Sequence, residues 1–301
     1  METPESTLAA DALPPIGVVE LNAHAPRPFV FTEMALCLRD MLREAGYEAE
    51  HLVNEVDPDG LSIVFVPTDG WREAVAQLDP ARTVLFNMEQ LGSASPWAPE
   101  AYVQALMGWT VADYHTANVE FLRARHTLHD RRHRVHEIAV VPSSSVVFAR
   151  DADRPPSVDV LFFGSPNPRR ARIVAALRGA GLTVEEVSGA YGWELTAAIQ
   201  RARLVLHVHF YETRLFPVAR MLQPVASAVP IVCESSVCPA LNDWANSGIV
   251  FADYDALVPA CLELLAQPAR QLESARRSLR HARRVDTTAP LRALIDSMLT
   301  R

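Results

Sequence analysis

Lysine is missing from this chain, so all 28 of its Lys+Arg positions are arginine. A Gly-x-x-x-x-Gly-Lys phosphate loop, a kinase-type phosphate lysine and a pyridoxal Schiff base are excluded, because each needs a primary amine at one position. Any phosphate met by a strong side-chain cation is met by a guanidinium, whose planar fork suits bidentate contacts. Cysteine is scarce too. Cys37, Cys233, Cys238 and Cys261 are scattered without C-x-x-C spacing, most of them inside apolar runs, and read as reduced core residues. No apolar run approaches the eighteen or so residues of a membrane span. Met1 to Ala12 is acidic and Ala-rich where a signal sequence is basic and then apolar, so a cytoplasmic location is expected. A net charge of −8 and a pI near 5.7 leave no basic footprint for general nucleic-acid binding.

The 301 residues are 49% hydrophobic and 21% charged, an ordinary globular balance with length enough for two domains. Ile16–Leu21 reads as a buried strand, Asn22–Pro28 as a loop, and Phe31–Ala45 as a helix with Thr32 as N-cap and Gly46 as its stop. Strands at Tyr47–Val53, Leu61–Pro67, Thr83–Gln90 and Thr110–His115 alternate with helices near Trp71, Pro99 and Thr116. After a charged, proline-bearing linker, Arg150–Pro156, the same alternation restarts at Val158–Phe163 and runs to a helical C-terminus. The expectation is an α/β protein of two Rossmann-like domains, 1–152 and 153–301, facing across a cleft, with C-terminal helices.

Polar residues gather where strands end, the place where open α/β sheets bind ligands. Gly164-Ser-Pro-Asn-Pro-Arg-Arg-Ala-Arg172 follows a strand and opens a helix, so Gly164, Ser165, Asn167, Arg169 and Arg170 form a candidate anion site. Three arginines in a first helical turn oppose the helix dipole unless an anion offsets them; a solvated basic turn is the other reading. The segment lacks the G-x-G-x-x-G pattern, so a dinucleotide cofactor is not indicated. His207 and His209 alternate with apolar residues and share one side of a strand, with Tyr211, Glu212 and Arg214 in the loop beyond and Arg220 on the next helix. Glu212 or Glu234 would complete a zinc site there, but hydrogen bonding at a cleft floor is favoured. Asn87, Glu89, Gln90, Asp113, His115 and Asn118 end two strands of the first half, where Glu89 or His115 is a candidate general base and helix capping is the competing role. His126, His129, His133 and His136, interleaved with arginines, read as a solvated basic helix end.

Val160-Leu-Phe-Phe-Gly-Ser-Pro-Asn-Pro-Arg-Arg170, Ala198–Glu212, Val229-Pro-Ile-Val-Cys-Glu234 and Phe251–Val258 resemble the C-terminal half of GT-B glycosyltransferases, nearest the CgeB-like and glycosyltransferase-group-1-like bacterial proteins. Asn87–Leu91 and Asp113–Asn118 also look like segments of that group. The resemblance implies a metal-independent glycosyltransferase with no cofactor, a nucleotide-sugar donor held by the second domain and an unknown acceptor (glycan, small molecule or protein) held by the first. It implies that Gly164, Ser165 and Arg169 hold the diphosphate, Glu212 and Glu234 the ribose or sugar hydroxyls, and Arg220 the leaving-group charge. The chain departs from the group-1 pattern at Gln223, where that pattern has glutamate, and at Ser227-Ala228 in place of Cys-Gly. Two other functions share this architecture: a non-catalytic nucleotide- or sugar-binding partner protein, and a nucleotide-sugar epimerase.

Overall fold

A computed structural model of the chain describes residues 13–22, 24–66, 70–92, 98–126, 134–146, 155–210, 215–236 and 241–300. Two wholly parallel sheets carry the fold. The first contains β1 (Ile16–Glu20), β2 (Ala49–Val53), β3 (Leu61–Phe65), β4 (Thr83–Asn87), β5 (Thr110–Asp113) and β6 (Val135–Glu137) in the order β2-β1-β3-β4-β5-β6. The second contains β7 (Val158–Phe163), β8 (Val184–Val187), β9 (Ala202–His207), β10 (Ile231–Glu234) and β11 (Val250–Ala252) in the order β11-β10-β9-β7-β8. In each sheet the first strand is flanked by the second on one side and the third on the other. That reversal leaves a crevice at the carboxyl ends, between β1 and β3 and between β7 and β9.

The central strands are buried on both faces, which is why they read as continuous apolar runs. Helix α1 (Thr32–Glu44) buries Met34, Ala35, Leu38, Met41 and Leu42, a stripe at helical spacing, and Gly46 at φ +96° ends it. Thr32 does not cap this helix: its hydroxyl donates to both carboxylate oxygens of Glu20, at 2.8 Å each, and accepts from the Phe29 N–H. Helices α2 (Trp71–Val75), α3 (Glu100–Leu106) and α4 (Thr116–Arg125) complete the first half. The second half adds α5 (Pro168–Gly179), α6 (Gly192–Arg201), α7 (Val218–Ala226), α8 (Leu257–Leu265), α9 (Pro268–Ala282) and α10 (Thr288–Leu299).

The chain's last helix returns to its beginning. α10 packs on α1 and on β6, α1 also packs on α7, and one apolar cluster runs from Ile16 through Leu161 to Leu291. The segment around the expected boundary, 147–154, lies outside the described residues. The basic histidine stretch lies there in part too, with His129 and His133 among 127–133; His136 is in the edge strand β6, where its Nε2 lies 3.1 Å from the Ser297 hydroxyl. That strand was hidden in the sequence by its brevity and its charged surroundings. No described helix is long and apolar enough to cross a membrane.

Candidate active site

A cavity of about 230 Å³ opens at the carboxyl ends of both sheets and is lined from both halves of the chain. Its first wall comes from α1 and the ends of β4 and β5, including Phe31, Glu33, Met88, Glu89, Gln90 and Tyr114. Its second comes from the ends of β7 and β8 and the start of α7, including Gly164, Ser165, Tyr191, Arg220 and Gln223.

On the second wall Gly164 has φ +125°, a conformation that suits glycine, and the Arg220 guanidinium lies directly over it. Arg220 Nη1 donates to the Phe163 carbonyl at 3.2 Å. Arg220 is in the first turn of α7, where the helix dipole disfavours a cation and favours an anion. The arginines of α5 have a different use from the one the sequence suggested. Arg170 is only 2% exposed: its Nε and Nη2 donate to the Val208 carbonyl and its Nη1 to the Ser165 carbonyl, tying the loop after β7 to the end of β9. Asn167 caps α5 by accepting the Arg170 N–H at 2.8 Å, an arrangement worth about 1 kcal/mol.

Arg169 pairs with Glu234 through two hydrogen bonds, Nη1 to Oε2 at 2.6 Å and Nη2 to Oε1. The guanidinium also stacks 4.0 Å over the Tyr254 ring, while the Tyr254 hydroxyl donates to the Arg169 carbonyl. Glu234 is fully buried and accepts the His209 N–H as well, so its charge is taken up inside the protein, while the Arg169 guanidinium paired with it stays partly exposed. The anion expected to offset the basic first turn of α5 is the protein's own Glu234. His209 is buried, with Nε2 at 3.1 Å from the Glu234 carbonyl, and the rings of His207 and His209 meet edge to face at 5.1 Å. Burial, then His209, Arg220 and Arg170, hold His207 well below the ordinary imidazole range, so it is neutral. Among the described residues no three His, Cys, Asp or Glu side chains come together to hold a metal.

The first wall rests on a buried amide network. Asn87 and Asn118 each donate from Nδ2 to the Glu89 carbonyl, at 2.9 and 2.8 Å, and each also donates to Asp113 Oδ2. Asn118 Oδ1 accepts the Leu91 N–H, and Tyr102 donates its hydroxyl to Asn87 Oδ1. These bonds fix the backbone from Glu89 to Leu91. Burial raises the Glu89 carboxyl from 4.5 to about 7 and that of Asp113 from 3.8 to about 7. His115 is a cap, not a base: its Nδ1 accepts the Ala117 N–H at 3.1 Å at the start of α4, and burial lowers it to about 4. It is not among the cavity's lining residues.

Two contacts of the site, both made to Gly192, had no sequence signal that could find them. Glu33 is a buried carboxylate, raised by desolvation, whose Oε1 accepts the Gly192 N–H at 2.5 Å across the two halves. Gln223 donates to the Gly192 carbonyl at 2.9 Å and to Thr196 at 3.0 Å, so this one glycine is held from both sides. Glu33 is not singled out by the sequence, since its partner lies 159 residues away. Tyr211, Glu212 and Arg214 lie outside the described residues.

No family model matches the chain. It is similar to three proteins of Acanthamoeba polyphaga mimivirus. Uncharacterized protein L138 is 30% identical over 133 residues, which is 43% of this chain and 15% of that protein. Uncharacterized protein L137 is 26% identical over 37% of this chain and 16% of its own length, and uncharacterized protein L140 is 24% identical over 61% and 59%. The chain therefore spans about a sixth of the first two and well over half of the third, and these relatives are viral, where the sequence resemblance was to bacterial proteins. Solved structures align over almost the whole chain. WaaG, a glycosyltransferase involved in lipopolysaccharide biosynthesis, is 12% identical, covering 93% of this chain and 98% of that one, with a TM-score of 0.57. Sucrose-phosphate synthase from Thermosynechococcus elongatus is 13% identical over 96% and 98%, at 0.56, and the DNA-modifying enzyme beta-glucosyltransferase 13% identical over 94% and 99%, at 0.57. The protein has the GT-B glycosyltransferase fold.

Proposed function

We propose that this protein is a glycosyltransferase that moves a sugar from a nucleotide-diphosphate sugar to an acceptor hydroxyl, with the second sheet as donor half and the first as acceptor half. The observation that carries this reading is a carboxyl titrating near 7, Glu89, in the same cavity as a guanidinium laid over a backbone glycine, Arg220 on Gly164. A general base works best with a pKa near the operating pH, and a leaving diphosphate needs positive charge where its own charge develops.

In the proposed step the acceptor oxygen bonds to the anomeric carbon as its proton passes to the Glu89 carboxylate. The bond from that carbon to the β-phosphate oxygen breaks, and its electron pair leaves with the nucleoside diphosphate. Arg220, with the backbone N–H of Ser165, meets the added charge, favoured by the start of α7. A base in this position is what a single displacement, with inversion at the anomeric carbon, requires. Glu212 keeps its proposed part in holding ribose or sugar hydroxyls. Arg169, Arg170 and Glu234 have no direct part, since they bind one another or the backbone.

A neighbouring fold, T4 phage BGT, is described in complex with UDP and Mn2+, so UDP leads a thermal-shift screen that continues with GDP and TDP. Turnover of the matching sugar donor is expected, falling at least 100-fold in Glu89→Gln and in Arg220→Ala. Nucleotide binding without turnover of any donor would leave a binding protein; release of an altered sugar nucleotide would mark an epimerase.

A further inference from the structure

The cavity separates its charges by wall. Among the described lining residues, the first wall carries two carboxyls, Glu33 and Glu89, beside Gln90, Tyr114, Met88 and Phe31, and contributes no cation. The second wall contributes one cation, Arg220, and no carboxylate. Both carboxyls are largely removed from water, where like charges repel far more strongly than in bulk solvent. Arg220 lies against Gly164 on the donor side, and among the described lining residues none on the acceptor wall carries a positive charge to neutralise a second anion.

From this segregation we infer that the acceptor is an uncharged or amine-bearing polyhydroxyl compound, and that the site rejects acceptors carrying a phosphate or carboxylate beside the reacting hydroxyl. The inference rests on the proposed transfer reaction and narrows its substrate class. Carboxylates accept hydrogen bonds from hydroxyl and ammonium groups alike, and Gln90 adds a neutral amide with both donor and acceptor atoms. A phosphate monoester brings a charge of roughly −1.5 to −2 near neutral pH. Placed in this cavity it would add an anion to the wall that carries Glu33 and Glu89, and it would hold Glu89 protonated when the proposed step needs it free. Val30 and Met88 give the wall apolar surface against which a sugar ring can lie.

The test compares four monosaccharide probes on the full chain by saturation-transfer NMR, each with the nucleotide diphosphate found in the screen: methyl glucoside, glucosamine, glucose 6-phosphate and glucuronate, the last being close in size to methyl glucoside. The first two are expected to bind, the last two at least 10-fold more weakly. Glu33→Gln keeps an oxygen to accept the Gly192 N–H while removing the charge, and is expected to narrow that gap to about 3-fold. Equal or tighter binding of the charged probes, a gap that Glu33→Gln leaves unchanged, or no binding of any probe overturns the inference. Donor turnover is a separate readout: its absence defeats the proposed reaction, whereas turnover with a preference for the phosphorylated sugar defeats only the acceptor class.

Discussion

Arg220 and Gly164 are in such close contact that a methyl group on the glycine would stand 2.5 Å from the Arg220 Nη1. Side chain and backbone are mutually dependent there. The absent side chain at 164 admits the guanidinium, and the guanidinium, at the first turn of α7, marks the place where an anion would be stabilised.

Gly164→Ala is therefore expected to push Arg220 aside and to strain a backbone at φ +125°. Under the proposed function, nucleotide diphosphate affinity should fall by about 10-fold or more, a loss of about 1.4 kcal/mol. Calorimetric titration of UDP reads it, with circular dichroism showing a retained fold.

Arg170 reads as a ligand residue in the sequence and is a buried brace in the structure. Arg170→Ala leaves the Val208 and Ser165 carbonyls without these donors and is expected to cost about 3 kcal/mol of stability. Arg170→Lys should restore little, because an ammonium cannot reproduce a planar fork reaching two carbonyls. Urea unfolding of both variants checks this.

Glu89 links pH to stability and to rate with opposite signs. Its carboxyl rises from 4.5 to about 7 on folding, so between those values the folded chain holds more proton than the unfolded one. Stability from this group is complete below about pH 4.5 and is lost as pH rises through 7; Glu89→Gln should flatten that part of the pH–stability curve. Under the proposed reaction, the rate instead rises with pH through a limb near 7, and the variant should lose the limb along with the activity.

Asn118→Ala removes a donor to the Glu89 carbonyl, a donor to Asp113 and the acceptor of the Leu91 N–H. Under the same reaction, kcat should fall roughly 10-fold or more with the donor KM little changed, since the second wall is untouched. A matching fall in donor affinity would contradict a positioning role confined to the first wall.

Gly192 joins the two halves. It accepts a bond from Gln223 and donates one to Glu33, and a Cβ there would come within 2.7 Å of Pro28. Gly192→Ala is expected to open the cleft, seen as a larger radius of gyration in small-angle scattering, while Glu33→Gln should leave it closed.

Much of this protein was determined by local sequence. Apolar runs of strand length, helical spacing such as Met34-Leu38-Met41-Leu42 and the glycine stops specify the alternation of elements, and the alternation specifies parallel sheets. The absence of lysine limits the strong phosphate cations to guanidinia, and polar residues at strand ends locate the cleft, because side chains beyond a strand's carboxyl end escape the sheet's own packing. Tertiary structure alone decided which of those polar groups face the cleft. Arg169 and Glu234 are 65 residues apart and meet because the sheet order brings the ends of β7 and β10 to either side of β9; once paired, the Glu234 carboxylate is closed to solvent. Glu33 and Gly192 meet across 159 residues through the packing of the two halves. A charged side chain's partner is set by sheet order and by what burial leaves it to bond with, and neither is written near it in the chain.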